Sequence, residues 1–358
     1  MIIALRRPLL LIIAALVCSL SAADMVDGLY EERLPVAGQS PAVLKAAAAE
    51  GLQKVFVRVS GRAQLAESAA ITAALAAPEA FLTRYRYQRQ ELPSGSELWL
   101  DMRFSPRQVN AVLQTAGLPV WSANRPSVLM WVVVDTERGR QLLGNGAYPR
   151  LEQVLRDEAR RRGLALQFPL FDLVDAGNLS PQTLWQMPEQ KVREASLRYS
   201  PPFILMGRAS QFSTGQWLAS WALLDEHNSL RFDTESQDSP AFVAAAVDRV
   251  ADTQARRYAV SSVAEAGGRT LIHVSGMQGF NDYAQLVSYL ESLAVVEHAN
   301  AAWMSGETLV LELVLKDDME KVQRYIQLDG RLVARDTAEL SARGPLAVTA
   351  YYLWQGSR

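Results

Sequence analysis

Three aspartates stand where an open α/β sheet would gather them. Asp135 ends the apolar run Val128–Val134, and Asp172 and Asp175 follow the stretch Leu164–Phe171. Ligands in such sheets bind outside the carboxyl ends of the strands. If the two strands are parallel neighbours, the carboxylates converge there. They could then hold Mg²⁺ or Ca²⁺, which favour oxygen ligands, or act as acid and base in a metal-assisted hydrolysis. The competing reading is structural: Asp172 and Asp175 cap the following turn, and Asp135 faces water. Trp217 and Trp221 lie four apart in a predicted strand and so share one face. With Trp131 and Trp185 they could line a sugar or peptide groove, or they could simply fill a core.

Other chemistry is sparse. There is no G-x-x-x-x-G-K-[ST] loop, no G-x-S-x-G elbow, no H-E-x-x-H helix and no EF-hand loop. Gly144-Asn145-Gly146 resembles a phosphate turn, but Tyr148-Pro149 follows where a third glycine is wanted, and it reads as a loop before a helix. The histidines are His227, His273 and His298. His273 and His298 come close only if their strands pair, and two imidazoles without a third ligand make no zinc site. No metal and no cofactor are implied.

The elements that would position these residues fall into three units. The first spans about 24–122. It has a strand near Met25–Leu34 and a helix opened by Ser40-Pro41. A predicted strand Val55–Val59, a helix Ala63–Ala76, a hairpin of Tyr85–Glu91 with Glu97–Phe104 and a helix from Ser105-Pro106 follow. The middle unit, 123–263, opens with Val128–Val134, a continuous apolar run of the kind a strand buried on both faces needs. Pro149–Arg162 reads as a helix ended by Gly163. Strands Leu164–Phe168 and Phe203–Met206, a meander and a closing helix from Ser239-Pro240 complete it. The third unit, 264–335, reads β-α-β-β-α-β, the split-βαβ or ferredoxin-like order, and a tail runs over 336–358. The expected class is thus α/β and α+β: three small units, the middle one a mixed sheet flanked by helices.

The amino terminus predicts export. Arg6 and Arg7 precede the apolar run Leu9–Leu20, and Ser21-Ala22-Ala23 supplies small residues at a cleavage site before Asp24. The run is about 12 to 15 residues, short of the roughly 20 that span a bilayer; a retained anchor is the alternative. Val17 before Cys18 argues against lipidation, and cleavage after Ala23 leaves a periplasmic chain without cysteine. Hydrophobic residues at 49% and charged residues at 21% fit a globular chain rather than a disordered one. The net charge of -2, about -4 without Arg6 and Arg7, gives no general pull on nucleic acid. Arg156, Arg160, Arg161 and Arg162 form the densest basic run, which reads as a solvated helix face.

Val57-Arg-Val-Ser-Gly61, Ala116-Gly-Leu-Pro-Val-Trp121 with Arg125-Pro126, Arg162-Gly163-Leu164, Pro169-Leu-Phe-Asp172 and Ala195-Ser-x-Arg-Tyr199 carry a family likeness. At this spacing, over about 24–335, the chain resembles the Gram-negative exported family called domain of unknown function 2066. Val174 departs from that family's acidic stretch. The resemblance implies an exported protein without assigned catalytic residues. By order of elements alone, the middle unit looks like the periplasmic domain of penicillin-binding-protein activator lipoproteins and the amino-terminal domain of the Tol translocation protein. That likeness implies an assembly or partner-binding module and transfers no site. The leading expectation is a non-catalytic module that binds another envelope protein, with the aspartate hydrolase and a glycan or small-ligand binder as alternatives.

Overall fold

The computed structural model describes residues 26–92, 95–260, 268–335 and 348–356. The predicted leader at 1–23, Pro93-Ser94 of the predicted hairpin, the predicted joint at 264–267 and the tail segment 336–347 lie outside the described residues. The architecture is mixed α/β, with three sheets flanked by helices.

The first sheet contains β1 (Glu31–Pro35), β2 (Leu82–Leu92) and β3 (Gly95–Phe104), antiparallel in the order β1-β3-β2. Leu34, Leu100, Met102 and Phe104 turn to one face, where α1 (Pro41–Ser60), α2 (Ala69–Ala76) and α3 (Pro106–Thr115) complete a small core. Ser40 caps α1 as expected, accepting from Val43 N. The predicted strand at Val55–Val59 is instead the last part of this helix. Leu52, Val55, Phe56 and Val59 recur at helical spacing and are all buried, so packing overrides the β preference of the branched residues.

The middle sheet holds β4 (Ser127–Thr136), β5 (Gly139–Leu142), β6 (Ala165–Gln167), β7 (Phe203–Gln211), β8 (Trp217–Leu224) and β9 (Ser229–Ser236). The order is β5-β4-β7-β8-β9, and β6 pairs with the start of β4. As its composition requires, β4 is buried on both faces. Met130, Val132 and Val134 face α4 (Pro149–Arg162) and α8 (Ser239–Tyr258). Leu129, Trp131 and Val133 face the side that carries α5 (Leu173–Asn178), α6 (Pro181–Trp185) and α7 (Glu189–Ser196).

The third sheet follows the expected β-α-β-β-α-β order through β10 (Arg269–Ser275), α9 (Phe280–Ser292), β11 (Val296–Ser305), β12 (Thr308–Leu315), α10 (Met319–Asp329) and β13 (Leu332–Ala334). The tail then contributes β14 (Ala350–Trp354), which inserts between β10 and β13, parallel to the former and antiparallel to the latter. Tyr352 and Trp354 are buried there. The apolar residues under the middle and third sheets form one continuous core, bridged by Tyr258 edge-on to both Phe203 and Tyr325.

The first sheet is tied to the middle one by three buried arginines. Arg125 stacks on Trp121, 3.9 Å from the ring centroid. It donates to the carbonyls of Ser122, Arg162, Gly163, Arg58 and Trp121 at 2.9–3.0 Å. Arg58 lies in the last turn of α1, and Arg162 and Gly163 end α4. One guanidinium therefore neutralises the negative ends of two helices. Burial, partly offset by the Tyr325 hydroxyl, brings its pKa down to about 9. Arg58 reaches the carbonyl of Glu31 at 2.7 Å and the carboxylate of Glu32. Arg162 holds Gly61 O at 2.9 Å together with Asp248 and Asp252 of α8. Only glycine fits at the two helix ends. Gly61 (φ 68°) would place a Cβ 2.4 Å from Ala255 Cβ, and Gly163 (φ 67°) one 2.5 Å from Arg125 Nη1.

Candidate interaction site

The three aspartates do not converge. β4 and β6 are parallel neighbours, as the metal reading required, but β6 pairs only with Ser127–Leu129. Asp135 lies further up β4, about 20 Å beyond Leu129 at ordinary strand rise. There it accepts from Arg140 Nε at 3.0 Å, and Arg140 also bonds Gln182 at 2.7 Å and covers the Trp185 ring at 4.1 Å. Among the described residues, no three His, Cys, Asp or Glu side chains are grouped so as to hold a metal.

Asp172 and Asp175 form a separate cluster with Arg198 and Tyr199. Asp172 is the N-cap of α5, and its Oδ1 accepts from Val174 N at 3.1 Å and Asp175 N at 3.0 Å. The Arg198 guanidinium grips both of its oxygens at 2.9 Å. That bidentate bond, helped by the capped amides, lowers the Asp172 carboxyl to about 2. Asp175 is only 1% exposed. It accepts from Phe171 N at 2.9 Å, the Tyr199 hydroxyl at 2.6 Å and Arg198 Nη1 at 3.3 Å. Tyr199 Oη in turn accepts from Leu170 N at 3.0 Å, and burial and Asp175 push its hydroxyl up to about 12. Phe171 adopts a left-handed φ of 53° and sets its ring edge-on to Trp131, 6.2 Å away. Ser196, at the end of α7, anchors the same region by accepting from Trp131 Nε1 at 3.0 Å. The capping reading of Asp172 therefore describes its geometry, while Asp175 faces inward.

With the polar groups turned in, the aliphatic ones are turned out. Leu170, Leu173, Val174 and Leu197 are 70%, 92%, 56% and 74% exposed. The Leu170 amide is bonded to Tyr199 and Leu197 adjoins Arg198, so the two segments that carry these side chains, here called the knuckle, are tied together by the Asp172–Asp175–Arg198–Tyr199 cluster. A helix that only packed on its own sheet would have the reverse orientation. Sequence reasoning points to the aspartates as the functional candidates and misses these neighbours. The available signal is Leu170, Leu173 and Val174 flanking acids in a segment with few helical positions.

The remaining candidates are accounted for by packing. Trp217 and Trp221 share a face as expected, but that face is the core. Trp217 stacks on Phe242 of α8 at 4.9 Å, and Trp221 lies between Phe232 and Phe242 with Nε1 on Thr234 Oγ1 at 2.8 Å. Both side chains are buried. The amides of Gly144 and Gly146 each donate to Glu152 Oε1 at 3.0 Å, so the turn is filled by the chain's own carboxylate. The basic run of α4 is only partly the solvated face expected, with Arg156 and Arg160 exposed. Arg156 lies on Phe168, Arg160 and Arg161 pair with Asp157 and with Glu158 and Asp248, and Arg162 is buried. His273 and His298 are separated by β12, against which both of their strands pair. His227 is exposed at a hairpin tip beside Glu226.

Residues 23–122 match the family described as Domain of unknown function (DUF8605). The match supports the resemblance at the level of an uncharacterised family. No curated protein matches the chain. Among solved structures, the N-terminal domain of Thermus thermophilus Protein Y is similar at 14% identity, over 37% of this chain and 97% of that one, with a TM-score of 0.18. No helix among the described residues is long and apolar enough to cross a membrane.

Proposed function

We propose that the chain is a non-catalytic module of the cell envelope, exported by its leader, that binds another protein through the knuckle of Leu170, Leu173, Val174 and Leu197. The motif spacing over 24–335 supports membership of the domain of unknown function 2066 family. The observation that carries the binding reading is the inversion at α5: a carboxylate is buried so that leucines stand in water. Each aliphatic side chain gains roughly 1.5–3 kcal/mol on full burial. Four together, on a segment held rigid from beneath, make an anchor of the kind found at the centre of protein interfaces. The partner offers an apolar recess, because the one exposed carboxylate of the knuckle, Asp172, is already paired with Arg198.

The test is site-specific photo-crosslinking in the native host. A crosslinker at Leu173 is expected to give one defined adduct, and a crosslinker at exposed Gln153 of α4 none. Leu197→Asp should abolish the Leu173 adduct without lowering the melting temperature, since Leu197 is 74% exposed in the free chain. Equal labelling at both positions, or an adduct indifferent to Leu197→Asp, would sink the reading.

A further inference from the structure

A second feature lies away from the knuckle, where the three sheets' helices meet. A recess of about 540 Å³ is lined by Gly61 and Arg62 after α1, Pro119 ahead of β4, Asp252 and Arg256 of α8, and Lys321 of α10. Three cations face it and one carboxylate. The carboxylate is already neutralised, since Asp252 accepts from the buried Arg162 at 2.8 Å. Lys321 is committed to Asp317 at 2.6 Å and to Ala259 O at 3.1 Å, and contributes only its field. Arg62 and Arg256 differ. Both are exposed, and neither has a carboxylate partner among the described residues; Arg256 bonds only the Thr253 hydroxyl, at 3.2 Å. In two other cavities most of the cations are paired. In the one against β1 and β3, Arg33 and Arg86 share Asp101, and Arg103 holds Glu31. In the one beside α7 and α10, Arg257 holds Asp225 and Arg324 holds Glu320.

We infer that this recess binds a small polyanion bearing phosphate or carboxylate groups, with Arg62 and Arg256 as its ligands. Guanidinium groups take both kinds of oxygen in charge-assisted, often bidentate, pairs. The volume lies within the usual range for small-molecule sites, roughly 300–1,000 Å³. The apolar part of the wall is only alanine and proline, Ala63, Pro119, Ala255 and Ala259, which suits a compact polar ligand rather than an aliphatic one. A bound anion bridges Arg62, which follows α1, and Arg256 of α8, and lies in the field of Lys321 of α10, so it stabilises the packing of these helices by mass action.

Pyrophosphate and citrate are the probes, titrated into the full chain by calorimetry and by thermal melting, with ionic strength held constant by sodium chloride. At least one is expected to bind at one site per chain and to raise the melting temperature. Preference for pyrophosphate assigns a phosphate ligand, and preference for citrate a carboxylate one. In Arg62→Ala/Arg256→Ala the affinity should fall at least about tenfold, the loss expected for a charge-assisted pair, while the unliganded melting temperature stays unchanged. The single variants Arg62→Gln and Arg256→Gln should each weaken binding several-fold. Absence of binding by both probes, or affinity undiminished in the double variant, overturns the assignment.

Discussion

Burying a carboxylate costs several kcal/mol unless its oxygens are bonded, and Asp175 meets that condition with an amide, a phenol and a guanidinium from two places in the chain. Its neighbour Asp172 has a different role at the surface, closing the first turn of α5 and holding Arg198 in place. The sign of its pH dependence follows from its carboxyl lying near 2 rather than at 3.8. A depressed carboxyl stabilises the fold fully above its ordinary pKa, and the contribution disappears as pH falls from about 4 toward about 2. Urea midpoints measured across that window should therefore fall more steeply for the native chain than for Asp172→Asn. Parallel curves for the two would show that the pair contributes nothing. The N-cap role of Asp172 is legible in the sequence, because a cap is a local device. The burial of Asp175 is not, because its partners Arg198 and Tyr199 stand more than twenty positions away.

At the scale of elements, helix ends carry the joint between the first two sheets. α4 stops where the glycine just after its last turn predicts, and α1 continues through a branched run that by propensity alone resembles a strand. Both ends are left-handed glycines, yet their roles differ from that of Gly330, which ends α10 with φ 66° and open space around its Cα. Gly330→Ala pays only the left-handed penalty, about 1 kcal/mol. Gly163→Ala adds a Cβ within 2.9 Å of Arg58 Cγ as well as against Arg125, and should cost about 3 kcal/mol through strain and overpacking. Urea denaturation of the two variants measures the difference, and equal costs would mean that the α4 end is not tightly packed against the arginines. In the third sheet, β14 separates β10 from β13 and covers His273, whose ring meets Tyr351 at 5.2 Å. Burial pulls the pKa of that imidazole down.

For the whole molecule, each sheet is built from one continuous stretch of chain, while the contacts that unite them are concentrated. The middle and third sheets share an apolar core, and the first is attached through Arg58, Arg125 and Arg162. Arg125 makes this attachment without any carboxylate, using five carbonyls and an aromatic face. A lysine at that position keeps the charge but has three donors and no planar fork. Arg125→Lys should lower global stability by about 3 kcal/mol and raise hydrogen exchange at the ends of α1 and α4 more than within β8. A change below about 1 kcal/mol, or protection lost evenly over all three sheets, would contradict a hinge held by this one side chain.

The features that the amino-acid sequence determined by itself are those that depend on near neighbours. Ser40-Pro41 opens a helix, Gly163 ends one, Val128–Val134 is a doubly covered strand, and the third sheet follows its β-α-β-β-α-β order, all through caps and periodicities that act within a few residues. Long-range packing alone settled the rest. β6 meets only the foot of β4, which separates Asp135 from Asp172, and α8 covers Trp217 and Trp221. The tail enters the third sheet, and guanidinium groups distant in sequence share the carbonyls of two helix ends. Those outcomes rest on competition among partners for buried surface and for hydrogen-bonding groups, and such competition leaves no mark on the local pattern of residues.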